Sequence, residues 1–312
     1  MESFIAVKHR FHVVICYNST MILEGKTLAK QIREPLATRA QAVCQKMGRP
    51  ICLAAIASTE DYGAYVYLKK EVASAQKIGL KTEIFEINNQ TSTTDFISLV
   101  KRLSANADTD AILIPRPLPS HVAVTDYAAY LAPQKDVDGM SNVNMGNLFL
   151  CKTWDEILAL PGFVPCTAMA VIKLLDFHHV DLVGKEVAVI GRSSTVGRPL
   201  AHLLTCKNAT VKICHRQTDL PRAVKDADIV CSAAGSAGLL RANWLKPGSI
   251  VIDISTNWYN NHLIGDTDPA DLEKQQISYS PVPGGVGPVT LAILLENMVF
   301  SRERSLCGSG RY

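Results

Sequence analysis

The sequence predicts an α/β protein of two domains, and three observations carry that expectation. Apolar runs of strand length alternate with stretches of helical periodicity along most of the chain. One run, Val187-Ala188-Val189-Ile190, passes directly into Gly191-Arg192-Ser193-Ser194-Thr195-Val196-Gly197 and then into Pro199-Leu200-Ala201-His202-Leu203-Leu204, which reads as strand, glycine turn and helix start. The length, 312 residues, exceeds the roughly 250 at which a single core stops growing. The strand-turn-helix makes the C-terminal domain Rossmann-like, with a mainly parallel sheet.

Taken in order, Leu28, Ile32, Leu36, Ala40 and Val43 recur every three or four places, so one amphipathic helix is expected there, closed by Gly48 and Pro50. A strand follows over 51–57 and a helix over 61–78, stopped by Gly79. Next come a strand over 80–87 and a helix over 91–104, opened by Thr93-Thr94-Asp95. The short apolar strand 111–114 runs into Pro115-Arg116-Pro117-Leu118-Pro119. Prolines so spaced neither continue a ladder nor begin a helix, so this is a fixed loop at a strand's C-terminal edge, where open α/β sheets bind ligands. After a helix over 126–131 stand Lys135-Asp136-Val137-Asp138-Gly139 and a polar loop through Asn147. Phe163-Val164-Pro165-Cys166-Thr167 precedes an apolar helix over 168–177, where the domain change is placed. Strands at 187, 209, 229 and 250 build the second domain. Pro281-Val282-Pro283-Gly284-Gly285-Val286-Gly287-Pro288 then leads into a helix over 289–300, too apolar to lie exposed, which is expected to pack back onto the first domain. The expected division is an extension over 1–20, a catalytic domain over 21–160 joined by the last helix, 289–306, and a nucleotide-binding domain over 161–288.

Hydrophobic residues make up 47% of the chain and charged ones 20%; a net charge of +3 without any Lys/Arg run argues against nucleic acid as a partner. No apolar run approaches the ~18 residues that span a bilayer, so no membrane is expected. The cysteines number 9, an odd count, and never form C-x-x-C. They read as free thiols in a reducing, cytoplasmic setting, with no metal site. Near the start, Val13-Val14-Ile15-Cys16 is too short for a secretory core, and Glu2 and the few serines fit a mitochondrial leader poorly.

The turn at Gly191 offers unpaired N–H groups and the positive end of a helix dipole, a place for a phosphate. Its glycines are spaced G-x5-G, not G-x-G-x-x-G, so a strand-turn-helix without ligand remains an alternative. The next strand, 209–214, ends in His215 and Arg216, and Arg192 lies in the turn itself. An unphosphorylated cofactor meets an acidic residue at that strand end; a basic one favours NADP. Gly191, Arg192, Ser193, Thr195, Val196, Gly197, His215 and Arg216 are therefore the expected cofactor-binding residues, with Thr256 near the nicotinamide.

Glu24-Gly25-Lys26, Pro117-Leu118-Pro119, Lys135-Asp136-Val137-Asp138-Gly139, Pro165-Cys166-Thr167, Gly191-Arg192-Ser193, Gly265-Asp266 and the octet 281–288 follow one another over 21–300. In this set the chain resembles the methylenetetrahydrofolate dehydrogenase/methenyltetrahydrofolate cyclohydrolase enzymes of one-carbon metabolism. The resemblance implies a homodimer, formed through the nucleotide-binding domains, with two activities in one cleft. Hydride passes from the methylene bridge of the folate to NADP, and water then opens the methenyl cation to the 10-formyl compound. It further implies a tyrosine stacked on the substrate and a lysine four places later (Y-x-x-x-K) that manages protons. A glutamine in V-Q-L-P-L-P tunes that lysine, and the second aspartate of D-V-D-G holds the pterin's amino edge.

Asp138 matches that aspartate, and Pro283, Gly284, Gly285 and Val286 match the loop that lines the folate site. Counting without gaps from Gly25 to Gly79 places the tyrosine at Tyr67, the lysine at Glu71 and a usual serine at Ala64. The string Tyr65-Val66-Tyr67-Leu68-Lys69 offers a competing Y-x-x-x-K whose amine is Lys69, yet two residues along a helix turn a side chain by about 200°. Ile114-Pro115-Arg116-Pro117 stands where V-Q-L-P is expected, so Pro115 and Arg116 face the substrate in the glutamine's place. Glu71 would stabilise the methenyl cation, and Arg116 would meet the folate's glutamate tail or pair with Glu71. Three readings follow: an NADP-dependent dehydrogenase with reduced or absent cyclohydrolase activity, a fully bifunctional enzyme using Lys69, or a folate- or nucleotide-binding paralogue without useful catalysis.

Overall fold

The computed structural model describes residues 20–259 and 262–307, so all of the expected extension except Thr20 lies outside the described residues. The first described residues pair with the far end of the chain. Leu23 N–H donates to the Tyr279 carbonyl at 2.8 Å and Tyr279 N–H to the Met21 carbonyl at 3.0 Å. The segment expected as one helix is two, α1 (Lys26–Arg33) and α2 (Leu36–Met47). Pro35 lies at the junction and has no N–H to continue the ladder. Then come β1 (Cys52–Ser58), α3 (Tyr62–Lys77), β2 (Lys81–Ile87), α4 (Thr93–Ala105) and β3 (Ala111–Leu113). Asp61 caps α3 by accepting from Ala64 N–H at 2.8 Å, and Ser92 caps α4 by accepting from Asp95 N–H at 3.1 Å. The strands make a parallel sheet in the order β2-β1-β3, and every residue of the central β1 is buried. A parallel bridge between Ile112 and Asp136 extends the β3 edge. The D-V-D-G block thus leaves the sheet at its C-terminal edge.

The next helix, α5 (Val124–Tyr127), starts earlier and is shorter than expected. The expected polar loop through Asn147 is instead α6 (Asn142–Leu150), followed by α7 (Trp154–Leu158). Ser141 caps α6 by accepting from Asn144 N–H at 3.3 Å, and Leu148 is buried. Tertiary anchors hold a helix there although Asn and Gly are weak helix formers. The all-buried face of α8 (Cys166–Phe177) leads to β4 (Glu186–Ile190), α9 (Gly197–Cys206), β5 (Thr210–Cys214), α10 (Leu220–Val224), β6 (Ile229–Ser232) and β7 (Ile250–Asp253). An unforeseen antiparallel hairpin, β8 (Asn257–Tyr259) with β9 (His262–Ile264), precedes α11 (Pro269–Lys274) and β10 (Ser278–Tyr279). The second sheet runs β10-β7-β6-β4-β5 with every pair parallel, a doubly wound order that opens a crevice between β4 and β6.

The last helix, α12 (Val286–Cys307), begins before the expected position and takes Pro288 into its first turn, where a missing N–H leaves no bond unmade. It packs on α8 and on α1 and α2. Arg39 of α2 reaches Glu296 at 3.3 Å and Glu303 at 2.6 Å on α12. The buried Asp110 carboxylate takes Arg49 at 2.7 Å and also Arg302 of α12. One apolar core therefore runs from β1 through α8 and α12 into β4 and α9, and it fixes the two sheets relative to each other.

Candidate active site

Two helical positions one turn apart present Tyr67 and Glu71 on the same face of α3. Tyr67 keeps 42% of its surface open, yet its walls hold the phenol well above its ordinary value, by burial first and then by Glu71, which describes a cleft and not a sealed core. Glu71 is only 6% exposed. Burial, and secondarily the charge of Asp138, push its carboxyl up to about 8. Lys69 lies elsewhere: it is exposed, with Nζ 4.5 Å from the centre of the Tyr65 ring, whose hydroxyl donates to Glu86. The angular offset of two helical residues takes Lys69 off the face of α3 that carries Tyr67 and Glu71.

Asp138 reaches the same place from the edge of the first sheet. Its neighbours in the block hold it there. Lys135 Nζ donates to the carbonyls of Leu103, Ser104 and Asn106 at 3.3, 2.8 and 2.7 Å, closing the end of α4. The Asp136 carboxylate accepts from Met140 N–H, Ser141 N–H and Asn144 Nδ2 at 2.9, 2.6 and 2.8 Å. Asp138 Oδ1 accepts from Cys166 N–H at 3.3 Å, at the positive end of α8. Burial and then Asp136 raise its carboxyl to about 6, against the lowering effects of Cys166 and the Arg116 charge. Arg116 is exposed, donates to the Tyr127 hydroxyl at 3.3 Å and makes no ion pair with Glu71. Its half-buried neighbour Pro115 continues the same loop.

The octet forms the floor. Gly25 N–H donates to the Gly284 carbonyl at 2.8 Å, and a Cβ on Gly25 would land on the Gly285 carbonyl. The first and last motifs of the chain are thus in backbone contact that only glycine permits. Pro283, Gly284 and Val286 line a cavity of about 280 Å³ together with Tyr67 from the first sheet's layer and Thr256 from the second's. Gly285 lies beneath, its N–H donating to the Pro281 carbonyl at 2.7 Å. The cavity also takes in Asp253, Ser255 and Arg33, which the sequence reading missed. Asp253 carried a readable signal, an acidic residue at the end of a parallel strand. Arg33, on an amphipathic helix rich in basic residues, carried none. Leu263 of the β8–β9 hairpin lines the cavity, and Trp258 of the same hairpin lies against α3, where a Cβ on Gly63 would sit 2.7 Å from its Nε1.

The glycine turn follows β4 at the crevice between β4 and β6. Gly191 has φ +125° and its N–H donates to the Cys214 carbonyl at 3.0 Å; a Cβ there would meet the Ala233 carbonyl oxygen at 2.5 Å. A Cβ on Gly197 would fall on the Gly191 carbonyl. Ser193 Oγ accepts from Val196 N–H and Gly197 N–H at 3.1 and 3.3 Å, with Thr195 Oγ1 3.3 Å away. Arg192 and Arg216 are exposed. His215 closes its own turn, with N–H on Thr218 Oγ1 at 2.9 Å and Nδ1 accepting from Gln217 N–H at 3.3 Å. Among the described residues, no group of three or more His, Cys, Asp or Glu side chains is placed to hold a metal.

Comparisons with known proteins bear on both halves. A family model described as tetrahydrofolate dehydrogenase/cyclohydrolase, catalytic domain, matches residues 23–138, and one for the NAD(P)-binding domain of the same family matches 165–306. A protein from Elusimicrobium minutum named bifunctional protein FolD is 50% identical over 288 residues, 92% of this chain and 100% of the relative. The structure of bifunctional FolD methylenetetrahydrofolate dehydrogenase/cyclohydrolase from Campylobacter jejuni superposes with a TM-score of 0.83 at 35% identity, covering 92% of this chain and 100% of that one. The Trypanosoma brucei dehydrogenase-cyclohydrolase, solved with NADP and an inhibitor, gives a TM-score of 0.82 at 31% identity, covering 93% and 99%.

Proposed function

This chain belongs to the tetrahydrofolate dehydrogenase/cyclohydrolase family, and from that premise we propose how its cleft works. It is an NADP-dependent enzyme of one-carbon metabolism that oxidises 5,10-methylenetetrahydrofolate to 5,10-methenyltetrahydrofolate, with cyclohydrolase activity toward 10-formyltetrahydrofolate. The observation that carries the reading is one cavity with Tyr67 on one wall and Thr256 on the other, over the floor of Pro283, Gly284 and Val286.

In this reading the Asp138 carboxylate accepts the N–H groups of the pterin's amino edge, and the Tyr67 ring stacks on the folate. The glycine floor lets the bridge carbon approach the nucleotide side. Alignment is the main demand of hydride transfer, because the folate nitrogen's lone pair expels the hydride. The turn fits a dinucleotide: the close packing of Gly197 on the Gly191 carbonyl leaves backbone facing outward at the helix start, beside a β5 end that carries Arg216 in place of an acid. NADP, when bound, supplies the hydride acceptor. Arg192 and Arg216 would hold its 2′-phosphate, while His215, Thr195, Val196 and Ser193 shape the turn.

Mixing the protein with methylenetetrahydrofolate and NADP tests the reading by the absorbance of NADPH; none forming would refute it. The double substitution Arg192→Ala with Arg216→Ala is expected to lower kcat/KM for NADP by about ten- to a hundredfold, since the two exposed arginines, screened by solvent, are together worth about 1.5–3 kcal/mol toward a phosphate. NAD kinetics should stay as they are. A parallel drop for both nucleotides would remove the arginines from phosphate recognition.

The same reading includes a cytoplasmic homodimer and the division into 21–160 with 289–306 and 161–288. In support of the domains, α12 packs on α1 and α2. In support of the dimer, β5 is the outer strand of the second sheet and exposes Ile213 at 43%. Light scattering at micromolar concentration is expected to give twice the chain mass, and a monomer would end the dimer proposal. Among the described residues no helix is long and apolar enough to cross a membrane.

A further inference from the structure

Glu71 is a buried carboxyl without a hydrogen-bond partner among the described residues. Fully enclosed side-chain polar atoms without a partner are limited, among those residues, to the Ser249 hydroxyl. The Glu71 oxygens therefore keep an opening, and the face of α3 they share with Tyr67 directs that opening to the cleft. A buried polar group left unpaired destabilises a fold, so such a group in a cleft points to a ligand. Facing it are Tyr67 from its own helix and Asp138, while Asp136, the Arg116 charge and Cys166 act on Asp138. Asp138 alone adds a charge effect to the burial of Glu71. The strands β1 and β2 and the helix α12, which also pack on α3, add none.

We propose that Glu71 is the catalytic residue that takes and returns the proton as water adds to the methenyl carbon, a carboxyl acting where a lysine would be expected. This rests on the folate reading above. Before the cation is present the group is neutral, which keeps a second negative charge away from Asp138. A methenyl cation beside it favours the charged form, and its proton leaves to solvent. The carboxylate then removes a proton from water as the water oxygen bonds to the methenyl carbon. That proton passes to the released bridge nitrogen as the carbon–nitrogen bond breaks and its electron pair goes to nitrogen. The carbinol O–H proton returns to Glu71 as the formyl C=O forms. The sum is cation plus water giving the formyl product and one proton.

The hydrolysis assay needs no nucleotide. Decay of methenyltetrahydrofolate absorbance above the buffer rate is compared for the native enzyme, Glu71→Gln and Lys69→Ala. General acid–base catalysis contributes about 10²–10⁴-fold, so Glu71→Gln is expected to lose at least about a hundredfold of that rate and Lys69→Ala none. The native kcat/KM for hydrolysis is expected to rise with pH through about 8, as the carboxylate becomes populated, and Glu71→Gln to lack that limb. The folding check has a sign of its own. The folded carboxyl holds its proton to a higher pH than an unfolded one, so its stabilising contribution is complete below the ordinary glutamate value of 4.5 and is lost as pH rises through about 8. Glu71→Gln should therefore melt no lower than native at pH 8. Native-rate hydrolysis by Glu71→Gln overturns the proposal. So does a native enzyme that forms NADPH but leaves the methenyl compound at the buffer rate, an outcome that spares the dehydrogenase reading.

Discussion

Asp138→Ala is expected to cut kcat/KM for methylenetetrahydrofolate oxidation by at least about a hundredfold, because two charge-assisted hydrogen bonds worth roughly 1.5–3 kcal/mol each are lost together. The nucleotide's own dissociation constant should not move, since the carboxylate lies at the edge of the first sheet and the glycine turn at the end of β4. Two features of the site make the carboxylate, not its protonated form, the working species. Cys166 N–H at the positive end of α8 donates to it, and the Arg116 charge favours its ionised form. Burial and Asp136 nonetheless raise it to about 6, so activity should fall as pH drops through about 6, where the acceptor becomes protonated. Asp138→Asn keeps the shape but turns an N–H toward groups that are themselves donors, and is expected to fail nearly as badly. Steady-state kinetics of both variants, with a thermal melt to confirm that α8 is still held, decide the matter. A loss under about tenfold in Asp138→Asn would mean that the carboxylate does not carry folate recognition.

How far this site could be read in advance depends on which physical signal each residue left. Glu71 was legible because two helix boundaries, at Gly25 and Gly79, fixed a count that the local Tyr65–Lys69 string contradicted, and the burial of Glu71 against the exposure of Lys69 agrees with the count. Both parallel sheets were legible because a strand covered on both faces is a nearly continuous apolar run, as β1 and β6 are up to their final serines. The α6 helix was not. Its Asn-Val-Asn-Met-Gly-Asn text has loop composition, and what holds it is the Ser141 cap together with the bond of Asn144 to Asp136, contacts set by the fold. The break at Pro35 had a plain local signal that the apolar periodicity overrode. Arg33 and the β8–β9 hairpin reach the cavity only because α1 and the second sheet are fixed around α12, which no local pattern encodes.

Gly197→Ala should weaken NADP binding by at least about a hundredfold, and NAD binding along with it, which separates this effect from the loss of the arginines. The reason is that the methyl group has nowhere to go. Its carbon would fall on the Gly191 carbonyl oxygen, with the carbonyl carbon at 2.6 Å and Arg192 N at 3.0 Å, and all three are backbone atoms. Relief would require Gly191 to move, but Gly191 is itself held at φ +125° against the Ala233 carbonyl and tied by its N–H to Cys214 at 3.0 Å. The turn must therefore open away from β4, and Ser193 Oγ loses the Val196 and Gly197 N–H groups that it holds at 3.1 and 3.3 Å. That closed turn sets the start of α9 where its helix dipole meets a diphosphate irrespective of the 2′-phosphate. The core beneath is shared with α8, so the melting temperature should also drop by several degrees, as steric strain of a few kcal/mol would require. Fluorescence titration with NADPH and NADH separates the outcomes: equal weakening of both is the expected result. Native affinity for NADH in Gly197→Ala would show that the turn does not bind the diphosphate.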